Sequence, residues 1–156
     1  MSKKLVAYFS ASGVTAAKAG ALAAAANADL YEIRPAEPYT AADIKWTNPL
    51  ARCNKEWLKK TPPALADTNA AIEDYDVIFL AFPIWYYTAP LIVKGFLENY
   101  DFSGKKVVLF ATSGGSDMKK CIKTLSPAAP GAVFTEGLML NGEIGSDMLA
   151  SFADRF

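Results

Sequence analysis

Strands that alternate with helices along the chain predict an α/β fold: an open, doubly wound, five-stranded parallel sheet with helices on both faces. Three observations carry this reading. Short runs rich in β-branched and aromatic residues recur at 5–9, 75–82 and 106–111. Stretches of helical composition, several with capping residues, separate them. The two later runs are apolar at almost every position, as strands buried on both faces are. The 156 residues suit one domain, 1–156, with a sizeable core.

Residues 5–9 form the first expected strand. An Ala-rich stretch, 15–26, follows with high helix propensity, and Asn27 is a natural stop. Residues 30–33 alternate apolar and polar, as an edge strand does, before Pro35 ends them. The segment 35–67 is irregular, with Pro35, Pro38, Pro49, Pro62 and Pro63. Within it a helix is expected over 47–60, capped by Thr47 or Asn48, with Pro49 in its first turn. The segment is long for a crossover and is expected either to pack near a ligand or, in the preferred reading, to cover hydrophobic surface with Tyr39 and Trp46. After the strand at 75–82, a helix is expected over 89–100 with Thr88 as cap and Pro90 in its first turn. After the strand at 106–111, a helix runs to about Leu125. Residues 132–137 are the last strand, Asn141-Gly142 turns the chain, and 146–153 close it as a helix.

Lys plus Arg equals Asp plus Glu at 16 each, so the formal net charge is zero. This argues against a general nucleic-acid binder or membrane-surface protein. Cys53 and Cys121 lie far apart and outside any CxxC, which argues against a disulfide framework or a zinc site. The chain has no His, so the usual metal ligand and general base are missing, and no protein group is assigned a catalytic role. No stretch is long and apolar enough to span a bilayer. The expectation is a cytoplasmic protein whose chemistry comes from a bound cofactor.

The turn Ser10-Ala11-Ser12-Gly13-Val14-Thr15 stands between a strand and a helix. Ser10, Ser12 and Thr15 can donate to an anion, Gly13 permits close approach and positive φ, and the helix start supplies free N–H groups. Helix capping is the plainer reading of such hydroxyls; three of them around a Gly favour a phosphate site. Two further loops leave strand ends with unusual composition: Pro83-Ile84-Trp85-Tyr86-Tyr87-Thr88, and Thr112-Ser113-Gly114-Gly115-Ser116-Asp117. Ligands of open parallel sheets bind beyond the carboxyl ends of the strands. The three loops suit a ligand with a phosphate at one end and a flat aromatic system at the other. Protein–protein contact is the rival reading of the consecutive aromatics at 85–87.

These residues carry a resemblance over nearly the whole chain. The chain resembles the flavodoxin-like FMN-binding family, and most of all a short branch of it. The shared motifs are Phe9-Ser10-Ala11-Ser12-Gly13, Phe82-Pro83-Ile84-Trp85 with Thr88-Ala89-Pro90, and Thr112-Ser113-Gly114-Gly115-Ser116. The resemblance implies strand order 2-1-3-4-5, FMN phosphate in the first loop, and the isoalloxazine ring between the second and third. Two positions depart from the branch: Val14 stands where Asn is common, and Tyr87 where Gly is common. The first removes a side-chain donor. The second disfavours the peptide turn that stabilises one-electron reduction in flavodoxin carriers, so two-electron turnover is expected. The function implied is electron transfer through FMN, as a flavodoxin or a small reductase passing electrons from NAD(P)H to a quinone-type acceptor. The alternative is a non-enzymatic module that holds a phosphorylated ligand or a partner protein.

Overall fold

The structure is a computed structural model and describes residues 3–11, 13–45, 47–60, 62–85, 89–112, 118–142 and 144–156. Five strands form one parallel sheet: β1 (Lys4–Tyr8), β2 (Asp29–Glu32), β3 (Val77–Pro83), β4 (Lys106–Thr112) and β5 (Val133–Met139). Their order is β2-β1-β3-β4-β5, as the resemblance implied. All four pairings are parallel, so every strand delivers its carboxyl end to the same side. The chain steps outward from β1 to β2 and then crosses back to β3, which makes the junction of β1 and β3 the point where the winding reverses.

Alternation along the strands divides the core in two. Leu5, Ala7, Ile78, Leu80, Phe82, Val107 and Leu109 face one side. There they meet α3 (Leu91–Glu98) and α4 (Lys119–Leu125). Val6, Val77, Phe79, Ala81, Val108 and Phe110 face the other. These pack on α1 (Val14–Ala26) and α5 (Ser146–Ala153). The Ala content of α1 lets it lie close: Ala19, Leu22 and Ala23 are buried, and Asn27 ends the helix in the left-handed region at φ 52°.

Most boundaries lie within a residue of expectation, and the larger differences have local reasons. The helix expected over 47–60 is shorter: α2 spans Arg52–Lys59. The Asn48 side chain accepts from the Leu50 N–H at 3.0 Å and its carbonyl from the Ala51 N–H at 3.0 Å. That turn takes up 48–51 and leaves Pro49 outside the helix. Pro90 is the residue before α3 and holds extended backbone, so it too lies outside the first turn; Thr88, its expected cap, lies outside the described residues. A short 3-10 turn, Ile72–Asp74, precedes β3 and delays the strand by two residues. The last strand runs further than 137 because β5 gains one residue against β4 between Leu109 and Ala111. Gly137 sits in that irregularity, where a Cβ would stand 2.4 Å from the Leu109 carbonyl oxygen, so only Gly lets the two strands stay paired.

Candidate functional site at the carboxyl ends of the strands

The first loop leaves β1 and enters α1 through Gly13, whose φ of 95° places it in the left-handed region. The Gly13 N–H donates to Ser10 Oγ at 3.0 Å. This bond uses a lone pair of Ser10 and leaves its proton for another acceptor. The helix ladder begins with the Ala17 N–H on the Gly13 carbonyl at 3.2 Å. The first N–H groups of α1, at Val14, Thr15 and Ala16, thus have no intrahelical acceptor. Among the described residues no side chain caps α1, and no acid occupies its first turn. An anion at this point would meet aligned donors and the positive end of the helix, with no carboxylate in the first turn to compete. Val14 is 56% exposed at the same helix start, an apolar side chain beside polar donors.

Thr15 faces inward. Its side chain is buried, and Thr15 Oγ1 lies 2.9 Å from Thr112 Oγ1, itself buried at the end of β4. Two hydroxyls bring two protons, and their mutual bond uses one. The other is available to a further acceptor. This bond joins the first loop to the third. The Ile84 N–H donates to the Thr112 carbonyl at 2.9 Å, which joins the second loop to the third. Trp85 meets Phe9 edge-on with ring centroids 5.7 Å apart, which joins the second loop to the first. The three loop starts are therefore tied pairwise across the β1–β3 junction.

Of the residues singled out from the sequence, Ser10, Gly13, Val14, Thr15, Pro83, Ile84, Trp85 and Thr112 stand together here. Pro83 closes β3 opposite Thr112. Ser12, Tyr86, Tyr87, Thr88, Ser113, Gly114, Gly115, Ser116 and Asp117 lie outside the described residues.

The segment between β2 and β3 reaches the same place. Its ends are closed by a bridge between Pro35 and Leu65 and by the ion pair of Arg34 with Asp67 at 3.0 Å. The Tyr31 hydroxyl also donates to Asp67, and this bond, followed by those of the Asn69 N–H and Arg34, holds the carboxyl below the usual range. Further out, Tyr39 lies edge-on to both Phe9 and Trp85 at 5.7 Å. Its hydroxyl donates to Glu56, and burial followed by this bond pushes the phenol well above its ordinary value. The local sequence of 35–67 left Tyr39 between packing near a ligand and, in the preferred reading, covering hydrophobic surface; its contact with Trp85 depends on residues distant in the chain.

Among the described residues no helix is long and apolar enough to cross a membrane. Cys53 and Cys121 are both buried and neither is in a disulfide.

Comparison with known proteins decides the family. The flavodoxin family model matches residues 3–156. This chain belongs to the flavodoxin family. Among solved structures, a candidate flavoprotein of Bacteroides eggerthii is 41% identical, with 99% of this chain and 98% of that one covered and a TM-score of 0.90. A second, from Bacteroides uniformis, is 40% identical over 98% of each chain, again with a TM-score of 0.90. A Lactobacillus acidophilus flavoprotein solved in complex with FMN shares the fold, with a TM-score of 0.71 at 21% identity over 89% of this chain and 93% of that one. No curated protein matches the chain.

The donor set of this flavodoxin-family protein fits a phosphate ester. Hydroxyls and backbone N–H groups gather at the start of α1, and Trp85 lies against Phe9.

Proposed function

We propose that this chain binds FMN and works as a redox flavoprotein. One observation carries the proposal: a helix start that no described side chain caps and the aromatic pair Phe9–Trp85 are tied together at the switch point of the sheet. In this reading Ser10, Ser12, Thr15 and the first N–H groups of α1 hold the phosphate. Trp85 and the Tyr86-Tyr87-Thr88 loop cover the ring on one side. Thr112 and the Ser113-Gly114-Gly115-Ser116-Asp117 loop meet its edge with backbone donors. When bound, FMN supplies the reversible electron and hydride chemistry. The chain contributes binding, orientation and exclusion of water, with no His to act as acid or base.

Two features favour a small reductase, passing electron pairs from NAD(P)H to a quinone-type acceptor, over a dedicated one-electron shuttle. The net charge is zero, which gives no general steering toward a basic partner. The second loop has no Gly between Trp85 and Thr88. The test is the visible absorption of the purified protein, chromatography of whatever heat releases from it, and titration of apoprotein with FMN, FAD and riboflavin. Tightest binding of FMN supports the assignment. Equal affinity for riboflavin and FMN refutes a phosphate site in the first loop.

A further inference from the structure

A series of polar contacts between Glu37 and Glu56 holds Tyr39 in place. Thr40 and Asp43 brace each other, the Thr40 N–H on the Asp43 carboxylate at 2.9 Å and the Asp43 N–H on Thr40 Oγ1 at 3.2 Å. The Asp43 carbonyl then accepts from the Cys53 N–H at 2.9 Å, which fixes the start of α2 against this turn. From the first turn of α2, Arg52 reaches back over the segment. Its guanidinium donates to the Glu37 carbonyl at 2.7 Å and to Glu56 at 3.0 Å. Its charge lies 4.1 Å above the centre of the Tyr39 ring. Glu56, in turn, accepts from the Tyr39 hydroxyl. Tyr39 is held by one face, through Arg52, and by its tip, through Glu56. Tyr39, Phe9 and Trp85 then meet as a three-ring cluster, each pair edge-on with centroids 5.7 Å apart.

A narrow cleft lies between α2 and the start of α3, lined by Cys53, Glu56, Trp57, Trp85, Pro90 and Leu91. Trp85 borders this cleft as well as Phe9 and Tyr39. We propose that 35–60 forms the outer wall of the ring end of the site, and that Tyr39, locked by Arg52 and Glu56, is the residue that positions Trp85 against Phe9. The consequence for the ligand rests on the FMN reading above: an indole held in place before binding costs the ring no ordering entropy.

The experiment uses full-length apoprotein labelled with 5-fluorotryptophan. The chain has three Trp, so three fluorine resonances are expected, and Trp85→Phe assigns one. Tyr39→Leu should shift and broaden the Trp85 resonance, while Tyr39→Phe, which keeps the ring and loses only the bond to Glu56, should leave it near its original position. Arg52→Gln should shift it less than Tyr39→Leu. In flavin titrations Tyr39→Leu should weaken FMN and riboflavin by the same factor, about two- to ten-fold, the worth of one edge-on aromatic contact. A Trp85 resonance unmoved by Tyr39→Leu overturns the proposal. So does weaker FMN binding with riboflavin binding unchanged, because that pattern belongs to the phosphate loop. If the unmodified protein binds no flavin, the FMN reading fails and the fluorine spectra of the three variants still decide whether Tyr39 positions Trp85. Arg52→Gln disturbs less of the fold than Tyr39→Leu and carries the test if the latter does not fold: a Trp85 resonance unmoved by Arg52→Gln then overturns the proposal.

Discussion

The Thr15–Thr112 bond gives a prediction in which stability and binding separate. Both hydroxyls are buried, and they lie 2.9 Å apart. Thr112→Val keeps the shape of the side chain and strands the Thr15 hydroxyl. A buried polar group without a partner costs about 1–3 kcal/mol. For a chain of this length 1 kcal/mol moves the melting temperature by about 2–4 °C. Thr112→Val and Thr15→Val should each therefore melt several degrees below the unmodified apoprotein. The double variant replaces both partners by apolar groups of the same shape and should recover most of that loss. The coupling in the double-mutant cycle should be about 1–2 kcal/mol. Urea unfolding of apoprotein measures it. FMN affinity should behave differently. If the spare proton of the pair goes to the phosphate, the double variant should bind FMN about ten-fold more weakly while keeping its stability and its affinity for riboflavin. Single variants as stable as the parent, or a double variant whose losses simply add, would refute the reasoning.

Other outcomes follow from the same geometry. Ser10→Ala and Ser12→Ala should each weaken FMN by about ten-fold, the worth of a hydrogen bond to a charged group, and spare riboflavin; isothermal titration with both flavins reads this. Flavin fluorescence should be quenched on binding and partly restored by Trp85→Ala, whereas unchanged quenching would assign Trp85 to a protein interface. Coulometric reduction of the FMN complex should proceed in one two-electron step, and Tyr87→Gly should split it into two. Burial raises the Tyr39 phenol in the folded protein, and the hydrogen bond to Glu56 adds to this. The unfolded chain ionises its tyrosines at about 10. The stability from this group is therefore complete below pH 10 and is lost as pH rises above it, and Tyr39→Phe should flatten the alkaline limb of a stability–pH curve.

The elements of the fold were legible wherever a local pattern carries the physics. Residues 75–82 read as a central strand, because a run apolar on both faces must be covered on both faces, and β3 spans Val77–Pro83. Asn27 ends its helix because Asn tolerates the left-handed conformation found there. Residues 146–153 form the closing helix as expected. The first loop was legible too: Gly13 between hydroxyls and a helix has few uses, and its φ of 95° is one that only Gly adopts readily. Local pattern failed where a neighbour distant in sequence decides. Thr15 reads as one donor among three, and only the end of β4 turns it toward Thr112. Tyr39 reads as surface cover, and only the fold of 35–60 onto the β1–β3 junction brings it against Phe9 and Trp85. Gly137 reads as the end of a weak strand, and only the Leu109 carbonyl opposite shows why no Cβ can stand there. A single chain spells out propensity, periodicity and capping, because these act within a few residues. The contacts that join three loops into one site lie between residues up to 97 apart, and packing of the whole sheet selects them.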